Sequence, residues 1–227
     1  LNIPIFNQVK FLFDLIKEQK ELKLTKLGFL PTKIVAELYN KGYLKDIFIE
    51  DGISKLYKES DVQTINLAKI LVELSGLVKK RNNKLSLTKK GKDQVKRNDL
   101  LFQNLFETFT KKFNWPYFDG YDDEQIGQFG FGFTLILFDK YGKEFRSREF
   151  YADKYLKAFD FKSKNPELEF LDDPKRAYIL RTFDRCLDYF GFTEYDGDKH
   201  NPKVKSTKTF NDLIKIQPHR NISHNKF

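Results

Sequence analysis

A chain of 227 residues with 40% apolar content is long enough to bury a core, as one large domain or two small ones. Its net charge of +9 and mean hydropathy of −0.57 favour anionic partners, nucleic acid first. The single cysteine, Cys186, excludes an internal disulfide, and the longest apolar run, Phe129 to Phe138, is too short to span a membrane.

Ile3 to Gln19 reads as a helix with Ile5, Val9, Leu12, Phe13 and Ile16 on one face. Leu22-Lys-Leu24-Thr25 alternates as a strand does and ends in a cap-like hydroxyl. Pro31 to Asn40 is a second helix, with proline in its first turn, an apolar stripe of Ile34, Val35 and Leu38, and Gly42 as its stop. Residues 46–59 form a connection with an Asp51-Gly52 turn. Ser60 or Asp61 caps a third helix to about Ser75, whose apolar set is Val62, Ile65, Leu67, Ala68, Leu71, Val72 and Leu74, before Gly76 stops it.

A hairpin follows. Leu77 and Val78 begin a strand, and Asn82-Asn83 supplies the positive φ angles of a tight turn. Leu85 and Leu87 then alternate with Lys84 and Ser86, as in a strand with one buried face. Thr88 caps a helix from Lys89 to about Phe113, broken near Asn98-Asp99, where Asp99 caps the second piece. Residues 77–97 hold nine Lys or Arg against one Asp. Residues 1–115 hold 22 Lys and Arg against 13 Asp and Glu, a net +9, whereas 116–227 hold 19 of each. The basic character therefore belongs to the first half.

Asn114-Trp-Pro-Tyr-Phe-Asp-Gly120 is turn-rich and marks a boundary between a basic region, 1–115, and a neutral one, 116–227. Gln125 to Phe138 reads as a helix that starts poorly because of Gly127, Gly130 and Gly132. Ser147 caps a helix to about Phe159, and Asp173-Pro174 opens another that reaches Tyr189 or Phe190. Phe192–Tyr195 and Val204–Ser206 are strands about a turn, and Thr207 caps a last helix, Phe210 to Ile216.

The order helix, glycine, strand, turn, strand, threonine, helix over 61–97 recurs over 173–216. Leu22–Gly28 and Leu85–Gly91 share Leu, Leu, Thr, Lys and Gly. These echoes are copies of one unit or separate uses of one local grammar. The expected fold is mostly α with small β-hairpins: two winged-helix-like units, 61–97 and 173–216, joined by a helical middle region.

Leu24-Thr-Lys-Leu-Gly-Phe-Leu-Pro-Thr-Lys-Ile-Val-Ala-Glu-Leu38 resembles the Leu-Thr-x-x-Gly-x-Leu-Pro-x-x-x-Val-x-Glu segment of an uncharacterised bacterial family. That family is named after an Ri-plasmid open reading frame, and some of its members are labelled transposon passenger proteins. Glu73–Lys80, Lys84–Gly91, Phe150-Tyr-Ala152, Thr182–Thr193 and Val204–Ile214 are similar to its later segments, so the resemblance covers roughly 22–216. It implies a helical winged-helix-like fold in a mobile-element context and assigns no catalytic residue.

The candidate nucleic-acid-binding residues are Lys79, Lys80, Arg81 and Lys84 on the hairpin, and Lys89, Lys90 and Lys92 at the following helix start. The polar face of the preceding helix, Gln63, Asn66, Lys69 and Glu73, carries no net attraction for DNA, although Asn and Gln can read adenine. Lys outnumbers Arg 33 to 8, which favours phosphate contact or a solvated face over base reading. Asp119, Asp122, Asp123 and Glu124 form either a hard-cation site or a helix cap. Gly127-Gln-Phe-Gly-Phe-Gly132 lacks the Gly-Lys-Ser/Thr of a phosphate loop and fits close helix packing. His200, His219 and His224 have no ligand partners at helical spacing, and Cys186 sits on an apolar face. The residues call for no cofactor, no metal and no catalytic set. Expected partners are DNA or RNA through the basic wing, or a protein or second copy through aromatic surface, with no membrane partner. A cytoplasmic, non-enzymatic protein is the expectation.

Overall fold

The computed structural model describes residues 3–121, 125–161, 173–198 and 201–217. Helices dominate, and the strands form two three-stranded antiparallel sheets. The first half runs α1 (Pro4–Glu18), β1 (Leu22–Lys23), α2 (Thr32–Asn40), a one-turn α3 (Ile47–Glu50), α4 (Gln63–Leu74), β2 (Val78–Arg81), β3 (Lys84–Leu87) and α5 (Lys89–Gln94). After α6 (Asn98–Lys111), the second half runs α7 (Phe131–Tyr141), β4 (Arg146–Ser147), α8 (Arg148–Phe159), α9 (Pro174–Ile179), β5 (Thr193–Asp196), β6 (Lys203–Ser206) and α10 (Lys208–Leu213). The α9 helix continues in π-helical geometry over Leu180–Leu187.

Apart from the short α3, both halves follow one order: helix, strand, helix, helix, hairpin, helix. In both sheets the second hairpin strand is central, giving the orders β1-β3-β2 and β4-β6-β5. Leu22 opposes Leu85 in one sheet, and Arg146 opposes Val204 in the other.

The junctions match bond for bond. Gly76 and Gly191 end their helices at φ 71° and 66°, a left-handed turn that glycine adopts without steric cost. The next N–H reaches back into the helix: Leu77 donates to Val72 O at 3.2 Å and Phe192 to Leu187 O at 2.8 Å. The Thr88 and Thr207 hydroxyls donate to Gly76 O and Gly191 O, both at 2.8 Å. They also accept from Gly91 N and Phe210 N, which caps the following helices. The shorter echo is not a structural repeat. Thr25 accepts from Phe29 N in a turn that places Gly28 at φ 83°. Gly91 instead lies inside α5, where a Cβ would collide with the Leu77 carbonyl.

The core crosses residue 115 without a break. On α6, Phe102 meets Phe6 at 6.5 Å, while Phe106 and Phe109 meet Phe190 at 5.0 and 5.7 Å. Trp115 is buried in a 3₁₀ turn, Trp115–Phe118, and its Nε1–H donates to Phe109 O at 2.9 Å. The turn-rich stretch 114–120 is thus packed between the halves.

Three helix starts differ from the sequence reading. Asp61 does not cap α4: its carboxylate accepts from Lys58 N and closes a 3₁₀ turn, Glu59–Asp61, and extended Val62 separates that turn from the helix. Asp99 lies within the first turn of α6, and Arg97 takes the cap position. The α7 helix begins at Phe131, not Gln125, because Gly127 and Gly130 take φ 87° and 66°. Gly130 abuts the Phe159 ring, and the Gly127 N–H donates to Tyr155 Oη at 3.0 Å, so this glycine stretch packs against α8. No helix among the described residues is long and apolar enough to cross a membrane.

Candidate functional site

The β2–β3 hairpin turns on Asn82 and Asn83, at φ 49° and 53°, and the Leu24 N–H donates to Asn83 O at 2.7 Å. Lys79, Lys80, Arg81 and Lys84 are exposed on it, and Lys89, Lys90 and Lys92 are exposed on α5. Their roles diverge. The Lys84 ammonium pairs with Glu21 at 2.7 Å, and that hydrogen bond holds the Glu21 carboxyl below the usual carboxylate range. Lys90 donates to Ser75 O at 2.9 Å and satisfies a free carbonyl at the end of α4.

Lys79 and Lys92 open onto a groove of about 790 Å³ bounded by α1, the hairpin and α5. Its floor is Ile16, Leu87 and Val95, and its rim adds Lys10, Lys17, Lys20 and Lys96. Six lysines therefore face Asp14 and Glu21, and Glu21 is already engaged by Lys84. Lys10 donates to Asn98 Oδ1 at 2.9 Å, which ties α1 to the start of α6. The α1 lysines were missed from sequence, although Lys10 and Lys17, seven residues apart, share one helix face. Nothing in the sequence, however, brings α1 beside α5; β1 does so by pairing with β3.

The polar face expected on α4 is closed. Glu59 is fully buried and gathers Asn66 Nδ2, Lys69 Nζ and the Leu30 N–H. Lys69 also donates to Gly28 O at 2.8 Å. The Lys69 ammonium and the Asn66 amide nitrogen are thus turned to Glu59; Gln63 alone of the four is exposed.

The second half closes its corresponding helix in the same manner. Arg181 forks onto Asp119, Nε to Oδ2 at 3.0 Å and Nη2 to Oδ1 at 2.8 Å. Arg185 adds Nη1 to Asp119 Oδ2 at 3.0 Å and Nη2 to Phe118 O at 2.8 Å. The Asp119 side chain is 3% exposed and Arg181 0%. Asp119 is therefore a structural counter-ion with both oxygens engaged by guanidinium groups, which overturns its candidacy as a cation ligand. Asp122, Asp123, Glu124, His200, His219 and His224 lie outside the described residues. Among those described, no group of three His, Cys, Asp or Glu could hold a metal ion. Cys186 is buried, and burial pushes its thiol pKa up, away from a reactive thiolate.

In comparisons with known proteins, no family model, no curated protein and no solved structure matches the chain.

Proposed function

We propose that each half is a winged-helix-like unit, and that the chain binds nucleic acid through its phosphate backbone, using the groove and the adjoining wing. The order helix–strand–helix–helix–hairpin with a central last strand supports the first part. The carrying observation for the second is the groove: six lysines on or just beyond α1, β2 and α5, most of their charge uncompensated. Lysine is a point charge suited to phosphate, not a bidentate base reader. The closed face of α4 supports the same view, because base reading by such a unit needs an open helix in the major groove. Binding is accordingly sequence-independent, in keeping with a mobile-element protein of the Ri-plasmid-named family.

Anisotropy titrations of a labelled duplex over a salt series test this reading. If Lys17, Lys79, Lys92 and Lys96 each neutralise one phosphate, the log–log salt slope is about −3.6, or roughly a 150-fold loss between 50 and 200 mM salt. The double variant Lys79→Glu with Lys92→Glu flattens that slope and weakens every duplex alike. Binding that ignores salt, or is unchanged in the variant, refutes the proposal.

A second reading, self-association or protein docking without nucleic acid, is favoured by one surface. Phe129, just ahead of α7, and Ile136 on it are exposed, and Phe133 on α7 is half-buried. Sedimentation decides: Ile136→Glu abolishes any dimer formed through this face, and a monomer at every concentration removes the self-association form of this reading.

A further inference from the structure

The second half carries a cluster that the groove does not use. Tyr141 and Phe150 meet edge to face at 5.2 Å, both half-buried. Four cations surround them and the neighbouring Phe145. Arg146 lies 5.1 Å from the Phe150 ring centre and 5.8 Å from that of Tyr141. Lys154 lies 4.8 and 5.2 Å from the same two rings, and Lys140 lies 5.1 Å from Tyr141. Lys205 covers Phe145 at 4.5 Å.

The place of this cluster in the fold matters. Lys205 follows Val204 in β6 as Ser86 follows Leu85 in β3, and Ser86 lines the basic groove. Lys205 therefore takes the place in its sheet that Ser86 takes in the first, whereas Phe150 and Lys154 lie on α8, whose counterpart α2 lines no part of the groove. Arg146 and Lys205 are partly compensated, by Glu144 at 3.2 Å and Glu194 at 3.0 Å. Lys140 and Lys154 form no ion pair among the described residues. Half-buried aromatic rings beside cations, two of them outside any ion pair among the described residues, are ingredients for holding a flexible polyanion whose units carry π faces. Bases stack on the rings or on the Arg146 guanidinium plane, and phosphates lie against the ammonium groups.

We propose that Tyr141, Phe150 and Arg146 form a stacking platform for the bases of a single-stranded nucleic acid, with Lys140 and Lys154 as phosphate contacts. A duplex hides its base faces, so this platform takes single strands. It is independent of the groove reading and gives the second half a binding role of its own.

The test uses the full chain and two labelled strands of about 12 nucleotides, oligothymidine and an abasic deoxyribose-phosphate strand of equal length. Tyr141→Leu keeps an apolar neighbour for Phe150 and removes the stacking face. It is expected to weaken oligothymidine binding roughly tenfold and to leave the abasic strand unchanged. Ultraviolet cross-linking of oligothymidine to the unmodified protein is expected to label Tyr141 or Phe150. This second readout decides the matter if the variant fails to fold. Equal affinity of the unmodified protein for both strands, no effect of Tyr141→Leu in a folded variant, or cross-links confined to other residues would overturn the platform. The groove variant Lys79→Glu with Lys92→Glu separates the two proposals. Loss of both strands in that variant, with Tyr141→Leu inert, keeps the groove and removes the platform. The reverse pattern keeps the platform and removes the groove.

Discussion

Replacing Asp119 by asparagine keeps the shape of the side chain and removes only its charge. Arg181 is 0% exposed and Arg185 10%, so the change leaves two guanidinium groups in a site closed to water. Breaking one partner of a buried ion pair costs about 3–5 kcal/mol, because it removes compensation from a charge that stays buried. The structure places this case at the lower end. Phe118, Tyr121 and Ile126 carbonyls also accept from the two arginines, and they still do so when the carboxylate is gone. A cost of about 3 kcal/mol lowers Tm by roughly 6–12 °C for a chain of this size. Differential scanning calorimetry and urea titration measure it. A companion variant, Asp119→Leu with Arg181→Met and Arg185→Leu, removes all three charges and is expected to recover most of the loss, since apolar replacement of a whole buried network is often neutral. A loss below about 1 kcal/mol in the asparagine variant would mean that water reaches the arginines, and the argument for a closed helix face would fail with it.

Two glycines should respond in opposite directions. Gly91→Ala drives a Cβ into the Leu77 backbone carbonyl and is expected to cost about 1–3 kcal/mol, whereas Gly132→Ala, at an exposed helical position with open space, should gain up to about 1 kcal/mol in urea titrations. Burial raises the Asp188 carboxyl from 3.8 to about 6, although Thr193 donates to it. The folded state therefore binds the proton more tightly than the unfolded chain. Stability falls as pH rises from 3.8 through 6, and the penalty, at most about 3 kcal/mol, is complete above that window. Asp188→Asn should accordingly stabilise the protein at pH 8 and not below pH 3.8; equal effects at both, read from thermal melts, would contradict the assignment. The Cys186 thiol should resist a disulfide reagent in the native protein and react only on unfolding.

The local grammar of this chain was readable because it is written in hydrogen bonds between near neighbours. Thr88, Ser147, Asp173 and Thr207 each accept from N–H groups two or three residues ahead, so sequence alone locates those caps. Asn82-Asn83 fixed the hairpin for the same reason. The closed faces of α4 and α9 were not readable. Glu59 reaches Asn66 and Lys69 across a change of direction at Val62, and Asp119 meets Arg181 across 62 residues. Spacing carries no trace of such pairs. The same holds for the groove: the hairpin lysines announce themselves as a charge run, but Lys17 and Lys20 join them only because Leu22 pairs with Leu85. Lys90, indistinguishable in sequence from Lys89 and exposed like it, also donates to a backbone carbonyl.

The two halves share scaffolding and differ in surface chemistry, and the difference bears on function. Where β2 carries Lys79, Lys80 and Arg81, β5 carries Glu194, Tyr195 and Asp196. Glu194 is matched across the strand by Lys205, which leaves the second hairpin close to neutral. A repeated unit kept only for its fold would need neither hairpin charged. A repeated unit that read DNA twice would need both charged and both helices open, yet each helix is shut by a buried carboxylate, Glu59 on α4 and Asp119 on α9. Shutting those helices removes the one element able to distinguish base pairs and leaves the sheet edges and helix ends as the exposed chemistry. On the two proposals made above, lysine without aromatic rings on one such edge, and rings with cations on the other, would serve two parts of one polymer, its phosphates and its bases.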